Sequence, residues 1–349
     1  MMGLVSPTAE DLQPLQIAFG ARLRMDVPLS RYTTARVGGP AKALVIVESV
    51  SELVETVKRL WEMPMPFVIL GGGSNVLVSD AGYQGVVVLN RARQIHFDVK
   101  REPPTVWAAS GANLGLIARQ AATRGLSGLE WAAGIPGTIG GAVVGNAGAH
   151  GGDMAGNLLM AEILHRSNAE TPPTTEPMNT SDAIQGLWPV EHFEYSYRSS
   201  SIKRHKQIEM VQKTEGVLAN ILQPKEIVLA VILRLIRTSK ELILKKMEEN
   251  VAFRRRTQPP GASMGSMFRN PPGDYAGRLV EAAGLKGARR GDAEISQLHA
   301  NFFINHGKAT ATDIWELIQV AQRTVKEKFG ISLDLEIELL GAWNQVQII

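Results

Sequence analysis

The chain has 349 residues, with 37 lysines and arginines against 34 aspartates and glutamates, so its net charge is only +3; 44% of its residues are hydrophobic and 20% charged. At about 150 residues per domain, this length makes two domains or three small ones, with enough core to fold without disulfides or a structural metal. The absence of cysteine excludes thiolate zinc sites, iron–sulfur clusters, a cysteine nucleophile and a disulfide framework, and so small a net charge makes no polyanion-binding surface.

In chain order, residues 1–30 give weak signals and read as a lead-in. Ala43–Val47 reads as a buried strand. Ser49 with Glu52 three residues on is a capping-box pattern, and Leu53, Val54, Val57, Leu60 and Trp61 recur at helical spacing. Phe67–Leu70 reads as the next strand, completing a βαβ unit, and short strands are expected at Val76–Val78 and Gly85–Leu89. A second block, from residue 91, places a strand at Thr105–Ala109 and a helix at Leu114–Ala122. Residues 167–190, polar and rich in Pro and Thr, read as an exposed excursion between strands; Glu226–Ile236 is a β-branched strand. A third block, from 239, opens with a charged helix at Glu241–Arg256, carries an amphipathic helix at Thr312–Phe329, and ends in the alternating strand Leu333–Leu340.

The placement of glycine carries the chemistry. Gly71, Gly72 and Gly73, followed by Ser74 and Asn75, come straight after a strand. Bare backbone there lets N–H groups approach a phosphate, with two side chains adding hydrogen bonds. The segment has neither the Gly-Lys-Ser/Thr of a Walker loop nor a G-x-G-x-x-G fingerprint, and by itself it reads first as a tight β-turn. A second stretch holds Gly134, Ile135, Pro136, Gly137, Thr138, Gly140 and Gly141, and continues to Asn146 and Gly148. It serves either backbone-on-backbone packing or a pyrophosphate gripped from a second side. Together the two stretches favour a bound dinucleotide.

These motifs also carry a resemblance. Val68-Ile-Leu-Gly-Gly-Gly-Ser-Asn-Val-Leu-Val78 with Asp80, Gly134-Ile-Pro-Gly-Thr-Ile-Gly-Gly-Ala142 leading to Asn146-Ala-Gly-Ala149, and Thr33-Thr-Ala-Arg-Val-Gly-Gly39 resemble, in order, the motifs of the UDP-N-acetylenolpyruvoylglucosamine reductase family. The likeness runs from about residue 28 to 341. It implies a mixed α+β and α/β fold: a PCMH-type FAD-binding fold of two α/β subdomains (1–90 and 91–238) plus a C-terminal α+β substrate-binding domain (239–349). It further implies non-covalent FAD, NADPH as co-substrate, and reduction of UDP-N-acetylglucosamine enolpyruvate to UDP-N-acetylmuramate in peptidoglycan precursor synthesis.

The resemblance extends to single residues. Tyr197-Arg198-Ser199-Ser200 is similar to the family's catalytic-arginine motif, Gly265-Ser266-Met267-Phe268 to the segment with the proton-donating serine, and Leu335-Glu336-Ile337 to the segment with the catalytic glutamate. Glu338 lies two residues on, and Leu335 stands where the family usually has proline. NADPH is implied to reduce FAD and leave, after which hydride goes to the terminal methylene of the enolpyruvyl ether. Arg198 would then neutralise the substrate carboxylate, Glu336, if protonated, would donate to the same developing charge, and Ser266 would protonate the carbanionic carbon. Arg255 and Arg256 match the stretch that meets the substrate's diphosphate, and Asn270 is a candidate substrate contact. His299-Ala-Asn301-Phe-Phe-Ile-Asn305 matches a further stretch read as partly structural.

Two other classes stand against this reading. A PCMH-fold FAD-dependent sugar or alcohol oxidoreductase would share the flavin loops but not the Arg198, Ser266 and Glu336 segments, and many tether FAD through His or Cys, neither of which occurs in the two glycine segments. A non-catalytic nucleotide-binding module would have no use for those three residues. The seven histidines show no metal-ligand spacing. No apolar run approaches the roughly 18 residues of a membrane span, and the N-terminus lacks a signal-peptide layout. The expectation is a cytoplasmic monomer acting on small molecules, with no metal, nucleic-acid or membrane partner.

Overall fold

The computed structural model describes residues 9–166, 183–205 and 223–343. These group into two compact units: the first comprises the described parts of 1–24, 43–71 and 85–251, the second 25–42, 72–84 and 252–343.

In the first unit the predicted cap of helix Val50–Trp61 is half a capping box. Ser49 Oγ accepts the Glu52 N–H at 3.1 Å, while the Glu52 carboxylate reaches back to the Glu48 N–H at 2.8 Å rather than to that of Ser49. Leu53, Val57, Leu60 and Trp61 are buried, as their spacing predicts. Strand Phe67–Leu70 pairs in parallel with Tyr83–Asn90, from Phe67 opposite Val86 to Leu70 opposite Leu89. Tyr83–Asn90 lies between Pro40–Val47 and Phe67–Leu70, so the two strands of the βαβ unit flank a later one. That middle strand is apolar on both faces, with Val86, Val87 and Val88 fully buried, as a central strand covered on both sides requires.

The unit's second sheet is antiparallel throughout, in the order Ala183–Pro189, Leu158–Arg166, Glu226–Arg234, Thr105–Ala109, Ile95–Asp98. Helix Leu114–Thr123, capped by Asn113 through the Leu116 N–H at 2.8 Å, shares the core of this sheet with Leu129, Phe193, Val231 and Leu233. Two parts of the sequence reading change here. Leu23–Pro28 is a strand within the expected lead-in. Ala183–Pro189 is a strand within the expected excursion, pairing from Ala183 opposite Arg166 to Pro189 opposite Met160. It is exposed at Ile184 and Leu187, so no apolar alternation announces it; residues 167–182 of that excursion lie outside the described residues.

The second unit is organised around helix Ala311–Phe329. Thr310 and Asp313 form a full capping box, and Ile314, Leu317, Ile318, Ala321 and Val325 face the core. That core also holds Leu77, Phe268, Phe303 and Ile337. Asp80 supplies a second cap from far along the chain. Its carboxylate accepts the N–H of Ala311 at 2.9 Å, the N–H of Thr312 at 2.8 Å and the Thr312 hydroxyl at 2.6 Å. Strand Val76–Val78 pairs in parallel with Glu338–Leu340. The predicted strand Leu333–Leu340 is a ladder only at its end, because the segment changes neighbours: residues 334–336 bond to Arg269 and Met267, and residues 338–340 to Val76–Val78. Among the described residues no helix is long and apolar enough to cross a membrane, and no group of three or more His, Cys, Asp or Glu side chains could hold a metal.

Because Asp80 satisfies two backbone N–H groups at the start of this helix, Asp80→Ala is expected to lower stability by about 1–2 kcal/mol, with Asp80→Asn retaining part of it. Urea unfolding of the three proteins measures this, and an unchanged midpoint in Asp80→Ala would remove the cap from the account.

Candidate active site

The two glycine segments meet. Gly71 ends strand Phe67–Leu70, and a Cβ placed on it would stand 2.3 Å from Thr138 Oγ1. Only a hydrogen fits there, so the Gly71 backbone lies directly on Thr138 within the first unit. Farther along, the Gly140 N–H bonds to the Ser110 carbonyl at 2.9 Å, and a Cβ on Gly140 would lie 2.8 Å from Ser110 Cβ. This junction accounts for Gly140, one of three glycines in helix Ile139–Gly145, each of which disfavours helix by about 1 kcal/mol. Gly72, Gly134, Pro136 and Gly141 are exposed, and Ile135 and Gly137 half-buried. The result is open, neutral backbone with no acidic side chain in 71–75 or 134–141. In the second unit, Gly73 accepts the Thr34 N–H at 2.9 Å, tying the Thr33–Gly39 motif to the Gly72–Asn75 run.

Arg198 lies in the first unit, at the tip of a tight turn. The Ser196 and Ser199 backbones bond to each other in both directions at 3.1 Å, and Arg198 takes φ +55. That left-handed conformation suits Gly or Asn and strains other residues. The strain is held by specific bonds: the guanidinium donates to the Gly148 carbonyl at 2.7 Å and the Asn146 carbonyl at 3.4 Å, and Lys203 Nζ donates to the Arg198 carbonyl at 3.3 Å. Asn146, also left-handed at φ +43, spends its side chain on structure, donating to the Ser196 carbonyl at 3.0 Å and accepting the Ala155 N–H at 3.1 Å. Asn146, Asp153, Tyr195 and Arg198 are among the residues lining a shallow pocket of about 300 Å³. Burial, and then the nearby Asp153 charge, push the Tyr195 phenol well above its ordinary range, so it stays neutral and donates to the Val143 carbonyl at 2.9 Å.

Ser266 and Glu336 lie in the second unit and are brought together. The Glu336 N–H bonds to the carbonyl of Met267, next to Ser266, at 2.9 Å, and Phe268 bridges to Leu335. Glu338 is set apart by its partner, for its N–H bonds to the Asn75 carbonyl at 2.9 Å. Asn75 Nδ2 donates to the Glu336 carbonyl at 3.1 Å, so the residue ending the first glycine run clasps the glutamate segment. Ser266 is half-buried, and beside Gly265, at φ +84, a Cβ would meet nothing within 4 Å.

The substrate candidates are less gathered. Arg255 and Arg256 are exposed in the last turn of helix Lys240–Thr257, where the helix dipole favours cations; Arg256 lies over the Phe253 ring at 5.6 Å. Asn270 uses its Oδ1 to accept the Ala276 N–H at 3.0 Å, opening helix Ala276–Ala282. The sequence reading assigned no role to Asp80 or Lys203 and left Asn301 among partly structural residues. A polar residue inside the apolar run Ala300–Ile304 is the signal for Asn301; nothing local marks the other two.

Comparison with known proteins places this arrangement. Residues 41–167 match the family model of an FAD binding domain, and residues 257–340 that of the UDP-N-acetylenolpyruvoylglucosamine reductase C-terminal domain. The chain is thus a flavin-binding oxidoreductase by class, with the mixed α/β, PCMH-type FAD-binding fold expected from its sequence. It is 41% identical over 320 residues to the UDP-N-acetylenolpyruvoylglucosamine reductase of Chloroflexus aggregans, covering 91% of this chain and 97% of that protein. To that of Bacillus subtilis it is 38% identical over 315 residues, covering 90% and 92%. The crystal structure of UDP-N-acetylenolpyruvylglucosamine reductase (MurB) from Thermus caldophilus superposes with a TM-score of 0.69 at 37% identity, covering 91% of this chain and 99% of that one. The chain belongs to the UDP-N-acetylenolpyruvoylglucosamine reductase family.

The contact between the glycine segments makes a steric prediction. Gly71→Ala should destabilise the protein by about 1–3 kcal/mol through overpacking on Thr138. Thr138→Ala in the same chain should recover much of that loss, since it removes the hydroxyl and methyl being struck. Thermal unfolding of the two single variants and the double variant reads the coupling; strictly additive losses would mean that the two segments do not meet at these atoms.

Proposed function

We propose that this chain reduces the enolpyruvyl ether of UDP-N-acetylglucosamine enolpyruvate to the lactyl ether of UDP-N-acetylmuramate, with NADPH as reductant and non-covalent FAD as carrier. The observation that supports it most is the direct backbone bond joining the Ser266 and Glu336 segments, in a chain of this family. The flavin fits the residues present. Open neutral backbone in each of the two segments, Gly71–Asn75 and Gly134–Gly141, suits an anionic pyrophosphate, and neither segment has a covalent anchor. Gly71, Gly72, Gly73, Ser74, Asn75, Gly134, Ile135, Pro136, Gly137, Thr138, Gly140, Gly141, Asn146 and Gly148 are the residues we assign to it, within subdomains 1–90 and 91–238.

Bound FAD supplies the two-electron relay. The protein's own groups manage charge and protons. Arg198, its turn fixed by Asn146, Gly148 and Lys203, holds the substrate carboxylate and becomes most valuable as charge spreads into it. Glu336 donates to the same developing charge. Ser266 gives its proton to the carbon beside the carboxylate, while the terminal methylene becomes a methyl on receiving hydride; the serine regains a proton from solvent. Arg255 and Arg256 offer cations to the diphosphate, and Asn270 a contact near Ser266, within the substrate-binding region 239–349. The reading includes a cytoplasmic monomer that serves cell-wall biogenesis and, through it, cell shape and division.

Two half-reactions test this. Ser266→Ala should bind FAD and be reduced by NADPH at close to the normal rate, while reoxidation of its flavin by the enolpyruvyl substrate falls about 10²–10⁴-fold. Stopped-flow absorbance separates the steps, and normal turnover in this variant would remove serine from the chemistry. Arg198→Ala should slow the same reoxidation step about 10²–10³-fold; a variant slowed only in the NADPH step would overturn the role given to the arginine.

A further inference from the structure

Asn301 is 3% exposed, and its side-chain amide grips both main-chain polar groups of one residue, Phe268. Its Oδ1 accepts the Phe268 N–H at 2.9 Å, and its Nδ2 donates to the Phe268 carbonyl at 2.8 Å. Its main-chain carbonyl accepts the Met267 N–H at 2.8 Å. The next residue, Phe302, forms a β-bridge with Ser266, and the Asn301 N–H is itself steered by His299 Nδ1 at 3.2 Å. A side-chain amide thus does for Phe268 what the backbone of a neighbouring strand does in a sheet. On the other side the Ser266–Arg269 segment is held by the Glu336 and Asp334 bonds to Met267 and Arg269.

We infer that Asn301 is a positioning residue for the protonation step: its two-point clamp on Phe268 fixes the pitch of the Ser266-bearing segment and so the place of the serine hydroxyl. This rests on the role proposed for Ser266. Met267 and Phe268 are fully buried, so the segment cannot draw replacement bonds from water, and losing the clamp leaves a buried N–H and C=O to find new partners by moving. A shift of about 1 Å at a proton donor costs roughly 10²-fold in rate, whereas the rest of the core is untouched.

The test is a double-mutant cycle on the flavin-loaded protein with Asn301→Ala, Ser266→Ala and both together. Asn301→Ala should slow flavin reoxidation by the enolpyruvyl substrate about 10²-fold and leave reduction by NADPH near normal. In the Ser266→Ala background the same change should alter reoxidation by less than about twofold, because there is no proton left to misplace. Asn301→Asp gives a second readout. It keeps the acceptor for the Phe268 N–H, so that amide should stay protected from hydrogen exchange, although it loses protection in Asn301→Ala. Only the protonated aspartic acid can donate to the Phe268 carbonyl, so reoxidation by this variant should recover as pH falls, unlike wild type. Equal losses in both serine backgrounds, loss of both half-reactions, an undiminished rate, or failure of both variants to retain flavin would each overturn the inference and leave Asn301 a structural residue. Normal turnover by Ser266→Ala alone would instead sink the role of the serine, an outcome read before Asn301 is changed.

Discussion

Everything in the second unit depends on a pairing between residues far apart in the chain: Asn75 and Glu336, 261 positions apart, are joined side chain to backbone, and Val76–Val78 lies in parallel register with Glu338–Leu340. Parallel pairing gains nothing from a short turn and must be specified by its surroundings. Here Asp80, just beyond the strand, caps helix Ala311–Phe329 with three bonds, and Leu77 enters the same core as Phe268 and Ile337. The bond between Glu336 and the carbonyl next to Ser266 is downstream of that arrangement.

The first unit handles its problem differently. Its glycine segments are not slack linkers but points of close approach, Gly71 on Thr138 and Gly140 on Ser110. Near them, strain is concentrated in side-chain-bearing residues. Asn146, His150 and Arg198 all adopt positive φ, and Arg198 is kept there by carbonyls of the Asn146–Gly148 loop. A guanidinium pinned in this way loses little further freedom on meeting a carboxylate, which is where preorganised electrostatics gains over a mobile surface arginine.

How much of this was legible beforehand follows the range of the forces involved. Ser49 and the Ile314–Val325 stripe act within a turn or two of helix, and the sequence displays them directly. The glycine segments were visible as chemistry, but not as a mutual contact, because nothing in Gly71 names Thr138. Ala183–Pro189 was missed because its outward residues include Ile184 and Leu187, which blur alternation, and Leu333–Leu340 was read as one strand because its pattern cannot show a change of partner midway. The assignment of Ser266 and Glu336 rests on likeness to a family, which no local pattern replaces. Asp80 and Asn301 act on groups 231 and 33 residues away respectively, a relation that only the folded chain states.

The composition of the second unit from three separate stretches has a consequence for how the protein comes into being. Residues 25–42 and 72–84 are synthesised long before partners such as Glu338–Leu340. During translation the apolar strand Val76–Val78 and the carboxylate of Asp80 must wait for more than half of the chain. Loops that long close slowly, and an unpaired apolar strand is prone to wrong association meanwhile. In the first unit the bond from Trp61 Nε1 to the Pro224 carbonyl spans 163 positions, a shorter wait than the 261 between Asn75 and Glu336. Circular permutants opened in the loop after Thr257, so that Glu338–Leu340 precedes Val76–Val78, would shorten the wait while leaving helix Lys240–Thr257 and strand Leu23–Pro28 uncut, and a gain in their refolding yield would trace the slow step to chain order rather than to stability.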